Sequence, residues 1–185
     1  MGVRVEDRTN GFAAAVLPHL DAAYSLARWL TRDEHAAEDM VQEAYLRALK
    51  FFGSFRGGDG RAWILTIVRN ACFDWLRLRR TEQLHDPFDE DIHSADAGTL
   101  AGDVRGAAAS PETSFERSAT AERLRDALEA LPAEYRETLV LRELEGLSYK
   151  EIASIADVPI GTVMSRLARA RKQLRKHLDL EREES

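Results

Sequence analysis

The sequence predicts an all-α protein: two small helical domains joined by a flexible acidic linker, the second containing a helix-turn-helix. Three observations predict it. Apolar residues recur every three or four positions on both sides of one long polar stretch. That stretch, residues 81 to 117, is rich in Asp, Ala, Gly and Ser and too polar to build a core. The run LSYKEIASIADVPIGTVMSRLARARKQLRKH, from Leu147 to His177, has the layout of two helices around a tight turn. The chain of 185 residues has room for one or two small domains, and 44% hydrophobic residues suffice for two modest cores.

The elements follow in order. Residues 1 to 10 are polar and expected to fray. Phe12, Val16, Leu20, Tyr24, Ala27 and Leu30 then recur at helical spacing, with Pro18 marking a kink or a late start. Asp33 is placed to cap a helix from about Glu34 to Phe52, stopped by Gly53. Its inner stripe is Ala37, Met40, Val41, Ala44, Ala48 and Phe51. Asp39, Gln42 and Glu43 share another face, bordered by Leu46. From spacing alone that acidic face reads as solvated helix surface; docking of a basic partner helix is the alternative.

Glycines make a loop of residues 54 to 60. Phe55 within it is either a plug on the core or a platform for a base. A helix from about Arg61 to Arg80 follows, with Trp63, Ile64, Ile67, Val68, Ala71, Trp75 and Leu76 as its apolar side. Basic residues interleaved with aromatics suit single-stranded nucleic acid, where Arg tracks phosphates and rings accept unstacked bases. Both tryptophans read as core. For Phe55, Arg56 and Asn70 the spacing decides nothing.

The acidic linker, as a coil, spans about 35 Å, and over about 100 Å when stretched. That reach lets the halves sit one or several DNA turns apart, at about 35 Å per turn. Beyond it, Phe115, Leu124, Leu128 and Leu131 predict a helix over 113–131. Pro132 starts the next, lined by Tyr135, Leu139, Val140 and Leu144 and ended by Gly146. Ser148 and Glu151 then form a capping box, and Asp157-Val158-Pro159 breaks the helix they begin. The last helix runs from about Ile160 to Leu178, with Val163, Leu167, Ala170 and Leu174 inside. Thr162, Ser165, Arg166, Arg169, Lys172, Arg175 and Lys176 are outside.

That second helix suits duplex DNA. Its first turns would offer side chains to base edges, and its basic tail adds sequence-blind attraction to phosphates. The net charge of −6 looks wrong for a nucleic-acid binder. Segregation resolves this: Arg56, Arg61, Arg69, Arg77, Arg79 and Arg80 crowd one region, while acid concentrates between Glu82 and Glu116. Cys72 is the only cysteine, so no internal disulfide forms, and its helical pattern makes it a buried filler. No apolar run is long enough to span a membrane, so a cytoplasmic protein without membrane insertion is expected.

Three stretches together resemble the extracytoplasmic-function (ECF) sigma factors of bacterial RNA polymerase. They are DMVQEAYLRA at 39–48, SFRGGDGRAWILTIVRNACFDWLR at 54–77, and the run from LPAEYRETLVLRELEGLSYKEIA at 131 through VPIGTVMSRLARAR. The resemblance implies a region-two-like domain over 11–80, the linker over 81–117, and a region-four-like domain over 118–178. It implies that Asp39, Gln42, Glu43 and Leu46 bind the clamp helices of core RNA polymerase, which overturns the spacing-only reading of that face. It implies that Phe51, Phe55 and Asn70, with Arg56 beside them, hold a flipped base of the minus-ten element. Thr162, Met164, Ser165, Arg166 and Arg169, followed by Lys172, would face the minus-thirty-five element. Met164 stands where many relatives carry a basic residue, and Ala168 where some carry a bulky one. An anti-sigma factor is a further partner the family implies, alongside promoter DNA.

No nucleophile–base pair, phosphate-cradling glycine motif or metal cluster is apparent, so neither enzyme activity nor a cofactor is expected. One rival is a stand-alone helix-turn-helix regulator, which leaves the first domain's acidic face unexplained. Another is a metal-dependent nuclease using His85, Asp86, Asp89, Glu90, Asp91 and His93. It lacks a rigid element to fix its ligands.

Overall fold

The computed structural model describes residues 3–85 and 121–183, and every regular element among them is helical. Helix α1 spans Val3–Val16, a 3₁₀ turn covers Leu17–His19, and α2 spans Leu20–Thr31. Residues 3 to 10, expected to fray, are thus helical. Phe12 and Val16 are buried and anchor α1, and extending a nucleated helix backwards costs little per residue. Pro18 sits in the 3₁₀ turn, whose tighter winding shifts the helical phase. Leu20, expected inside, is consequently 45% exposed.

Arg32 closes α2 in the left-handed region at φ 58°. Asp33 then accepts the Ala36 N–H at 2.8 Å and caps α3, Glu34–Phe51. A 3₁₀ turn, Phe52–Ser54, leads to the glycine loop, where Gly57 and Gly58 take φ of 82° and 110°. Asp59 Oδ1 accepts the Arg61 and Ala62 N–H groups at 2.9 and 3.2 Å and starts α4, Gly60–His85. A Cβ on Gly60 would lie 2.1 Å from the Ala15 carbonyl oxygen, so glycine lets α4 start against α1. Helix α4 runs five residues past the expected domain end at Arg80. The rest of the expected linker, with Asp86 to His93 of the metal reading, lies outside the described residues.

Helix α5 is described over 121–129. Pro132 caps α6, Ala133–Leu139, from just outside it, and the helix widens into one π turn over Val140–Leu144. The wider turn rotates Leu144 out of the expected inner row, to 56% exposure. Helices α7, Tyr149–Ala156, and α8, Ile160–Glu183, complete the chain.

Leu26, Leu30, Ile64, Leu65 and Val68 fill the centre of the first half, where α2, α3 and α4 pack together. Leu141, Ile152, Ile155 and Leu167 fill the second. The two halves touch: α4 packs on α7 and α2 on α6. This arrangement was open in the sequence.

Candidate nucleic-acid interface

Helix α8 presents one side outward because the other is fixed. Val163, Leu167 and Ala170 are fully buried, while Met164 is 54% exposed and Ser165, Ala168, Arg169 and Lys172 are exposed. The entry to α8 is well defined. Ser148 Oγ accepts the Glu151 N–H at 3.3 Å and Glu151 Oε2 accepts the Ser148 N–H at 2.7 Å. Hydrogen bonds from the Ser148 hydroxyl and then its N–H hold the Glu151 carboxyl below its ordinary pKa. Asp157 ends α7 in the left-handed region at φ 52°, which aspartate tolerates. The first turn of α8 is tied to Pro159, whose carbonyl accepts the Thr162 N–H at 2.9 Å. Ser165 Oγ donates to the Thr162 carbonyl at 3.0 Å, and Arg169 Nη1 reaches the Tyr135 hydroxyl at 3.5 Å.

Arg166 departs from the expected outer face. Its side chain is only 19% exposed, and Nη1 lies 3.9 Å from Oε2 of Glu137. That distance is too long for a hydrogen bond, so the two are a buried charge pair. Glu137 is fully buried, and its other oxygen accepts from Arg69 Nε at 2.5 Å. Burial raises the Glu137 carboxyl above its ordinary pKa; Arg69, and after it Arg166, pull it back. Sequence reasoning passed over Glu137 because a carboxylate in a charged helix reads as surface. Its one signal was position: a polar residue between Tyr135 and Leu139 on a helix that must pack.

On α3, Asp39, Gln42 and Leu46 are exposed, Leu46 by 63%, and Leu49 extends the apolar rim. Glu43 is half-buried and joined to Arg47, which also approaches Asp74 at 3.9 Å. The face therefore offers one unpaired carboxylate, an amide and a leucine edge rather than two free acids.

The aromatic residues separate into two roles. Phe51 is 56% exposed, with the Lys50 ammonium over its ring at 5.6 Å. Phe55 is half-buried in a cluster the sequence did not reveal, stacked 5.6 Å from Phe52 and tilted 5.0 Å from Trp63. Phe52 also meets Phe12 edge-on at 5.5 Å, so Phe52 joins α1 to the loop. Trp63, expected in the core, is half-buried at its edge. Arg56 and Asn70 are exposed. Asn70 lies seven residues beyond Trp63, two turns and about 10 Å along the same stripe of α4. Its Oδ1 accepts from Arg69 Nη1 at 3.1 Å.

Comparison with known proteins decides what this layout belongs to. Residues 15–82 match the Sigma-70 region 2 family and residues 121–174 match Sigma-70, region 4. The ECF RNA polymerase sigma factor SigE of Mycolicibacterium smegmatis is 34% identical over 96% of this chain and 67% of its own length. The RNA polymerase sigma-H factor of Pseudomonas aeruginosa is 33% identical over 91% of this chain and 86% of its own.

The chain belongs to the ECF sigma factors.

The solved structure of the sigma factor RpoE from Bartonella quintana shares 30% identity and covers 91% of this chain and 97% of its own, with a TM-score of 0.69. As an ECF sigma factor the chain is a transcription initiation factor: it binds RNA polymerase and directs it to promoter DNA. Sigma factors are non-enzymatic initiation factors. No helix among the described residues is long and apolar enough to cross a membrane.

Proposed function

We propose that this sigma factor divides promoter recognition between its two domains. Asp39, Gln42, Glu43 and Leu46 on α3 dock on the clamp helices of core polymerase. Phe51, Phe55, Arg56 and Asn70 receive the melted minus-ten element. Thr162, Met164, Ser165, Arg169 and Lys172 on α8 read the minus-thirty-five duplex. Opening DNA costs about a few kcal/mol per flipped base, and a pocket for that base with phosphate contacts offsets the cost. Phe51 supplies the open ring, and the Phe52–Phe55–Trp63 cluster stiffens the loop beneath it. Arg166 acts as a strut that holds α8 on α6 through Glu137, which moves base reading to its exposed neighbours.

The observation that carries this reading is the exposure of Met164, Ser165, Arg169 and Lys172 on a helix whose opposite side is locked into the core. The phosphodiester chemistry belongs to the polymerase, and the site of action is the cytoplasm, where core enzyme and chromosome meet. The Bartonella relative was solved in complex with the anti-sigma factor NepR. A partner of that class covering the α3 and α8 faces is part of the proposal.

Transcription in vitro with bacterial core polymerase on a genomic fragment library tests the activity and reads the promoter together. Correctly folded chain, free of inhibitor, that starts no transcript would refute it. Charge reversal of Asp39 and Glu43 to lysine should abolish capture of core polymerase; normal capture would remove α3 as the docking face.

A further inference from the structure

A cavity of about 530 Å³ lies between the C-terminal half of α4 and the turn that joins α5 to α6. Arginine dominates its wall. Arg32 comes from the cap of α2, Arg77, Arg79 and Arg80 from α4, and Arg136 from α6. Two glutamates, Glu129 and Glu134, stand against these five arginines. Arg77 is already joined to Asp74, and Arg79 lies over the Trp75 ring at 4.8 Å. Arg32 and Arg136 both donate to the Glu129 carbonyl, at 3.1 and 2.7 Å, so two guanidinium groups crowd one oxygen. Among the described residues, neither they nor the exposed Arg80 form an ion pair with a carboxylate.

Positive charge is left over at this point. Burial, and after it the Arg32 charge, lowers the Arg136 pKa to about 10, and Glu129 and Glu134 offset only part of that. The Arg136 Nε is shut off from solvent and meets no acceptor among the described residues. A buried donor without an acceptor is costly, and two like charges side by side add to the cost. An anion in the cavity relieves the excess charge. The wall is not charge alone: Phe73, Trp75, Leu76, Leu131 and Pro132 complete it. Its volume falls within the range of small-molecule sites, about 300–1,000 Å³. Guanidinium forks match phosphate oxygens in pairs, and the apolar side chains beside them suit an organic body carried on the phosphates.

We propose that this cavity is a binding site for a nucleoside polyphosphate. Arg136 supplies fixed, buried positive charge. Arg32 and Arg80, exposed at the rim, fork onto the phosphate oxygens. The apolar part of the wall covers the nucleoside. None of the side chains assigned above to polymerase or to either promoter element lines the cavity. Its occupancy is therefore an input separate from promoter reading.

The test is calorimetric titration of the full chain with ADP, in about 0.15 M salt to suppress diffuse attraction. One saturable site per chain is expected, with a matching rise in melting temperature. Arg32 and Arg80 are exposed, so Arg32→Gln and Arg80→Gln should fold, as circular dichroism checks. Each should weaken ADP by about tenfold or more, the loss of a charged hydrogen bond. Lys176→Gln removes a charge from α8 outside the cavity and should leave binding unchanged. Inorganic pyrophosphate, of similar charge, should bind more weakly than ADP, because it leaves the apolar wall uncovered. Absence of saturable ADP binding overturns the proposal. So does an equal loss in Lys176→Gln, or wild-type affinity in both folded arginine variants. Pyrophosphate as tight as ADP overturns the nucleoside class. Displacement of ADP by single-stranded DNA at equal phosphate concentration would assign these arginines to a DNA backbone and overturn the site as well.

Discussion

Replacing Arg136 with alanine should cost the second domain a large share of its stability. Arg136 is 3% exposed and donates to three main-chain oxygens: Glu129 at 2.7 Å, Leu131 at 3.2 Å and Leu30 at 3.5 Å. Two of these carbonyls end α5 and the third ends α2, so one guanidinium serves helix C-termini from both halves. Among the described residues no carboxylate hydrogen-bonds it. Burial lowers its pKa to about 10, with Arg32 adding to the effect, yet it remains charged at neutral pH. Alanine removes two good charged bonds and one long one, each typically worth about 1.5–3 kcal/mol, and leaves shielded carbonyls without donors. Relief of the buried charge returns part of this. A net loss of about 2–4 kcal/mol is expected, against about 3–9 kcal/mol for a domain of this size. Urea denaturation followed by circular dichroism measures it, and a fall in melting temperature of about 10–20 °C should accompany it. Arg136→Lys should recover less than half, since one ammonium cannot fork to carbonyls on two elements. A loss below about 1 kcal/mol for Arg136→Ala would refute the reasoning.

Other perturbations probe other joints. Gly60→Ala should destabilise the first domain by more than about 2 kcal/mol or displace α1, because the new Cβ meets the Ala15 carbonyl at 2.1 Å; unchanged thermal unfolding would contradict that packing. Ser148→Ala should cost about 1 kcal/mol by removing the cap of α7. The pKa of Glu151 is depressed in the fold, so its share of the cap is present above the ordinary glutamate pKa and lost as pH falls through the lowered value. Stability that is flat from pH 6 to pH 3 in Ser148→Ala relative to wild type would agree; a steeper acid loss in the variant would not. Burial pushes the Cys72 thiol up to about 12, so iodoacetamide at pH 8 should leave the folded chain unmodified and label it readily in denaturant. Rapid labelling of the native protein would contradict the burial and reopen a redox role.

The helices and the helix-turn-helix were written in local signals: the capping box at Ser148, the cap at Asp33, and apolar residues every three or four positions. Local signals act over a turn or two, so they survive without knowledge of the rest of the chain. They also placed the α3 face, since positions 39, 42 and 46 share a side of any helix through them. What the sequence could not determine was pairing between distant segments. Glu137 sinks into the core only because Arg166 and Arg69 arrive from 29 residues ahead and 68 residues behind. Phe55 finds Trp63 only after the glycine loop between them folds back. Leu144 turns outward only because a π turn adds a residue to the circuit. Burial and charge pairing are sums over neighbours in space. The tertiary structure alone decided which arginines stay exposed and which pair with acids in the other half.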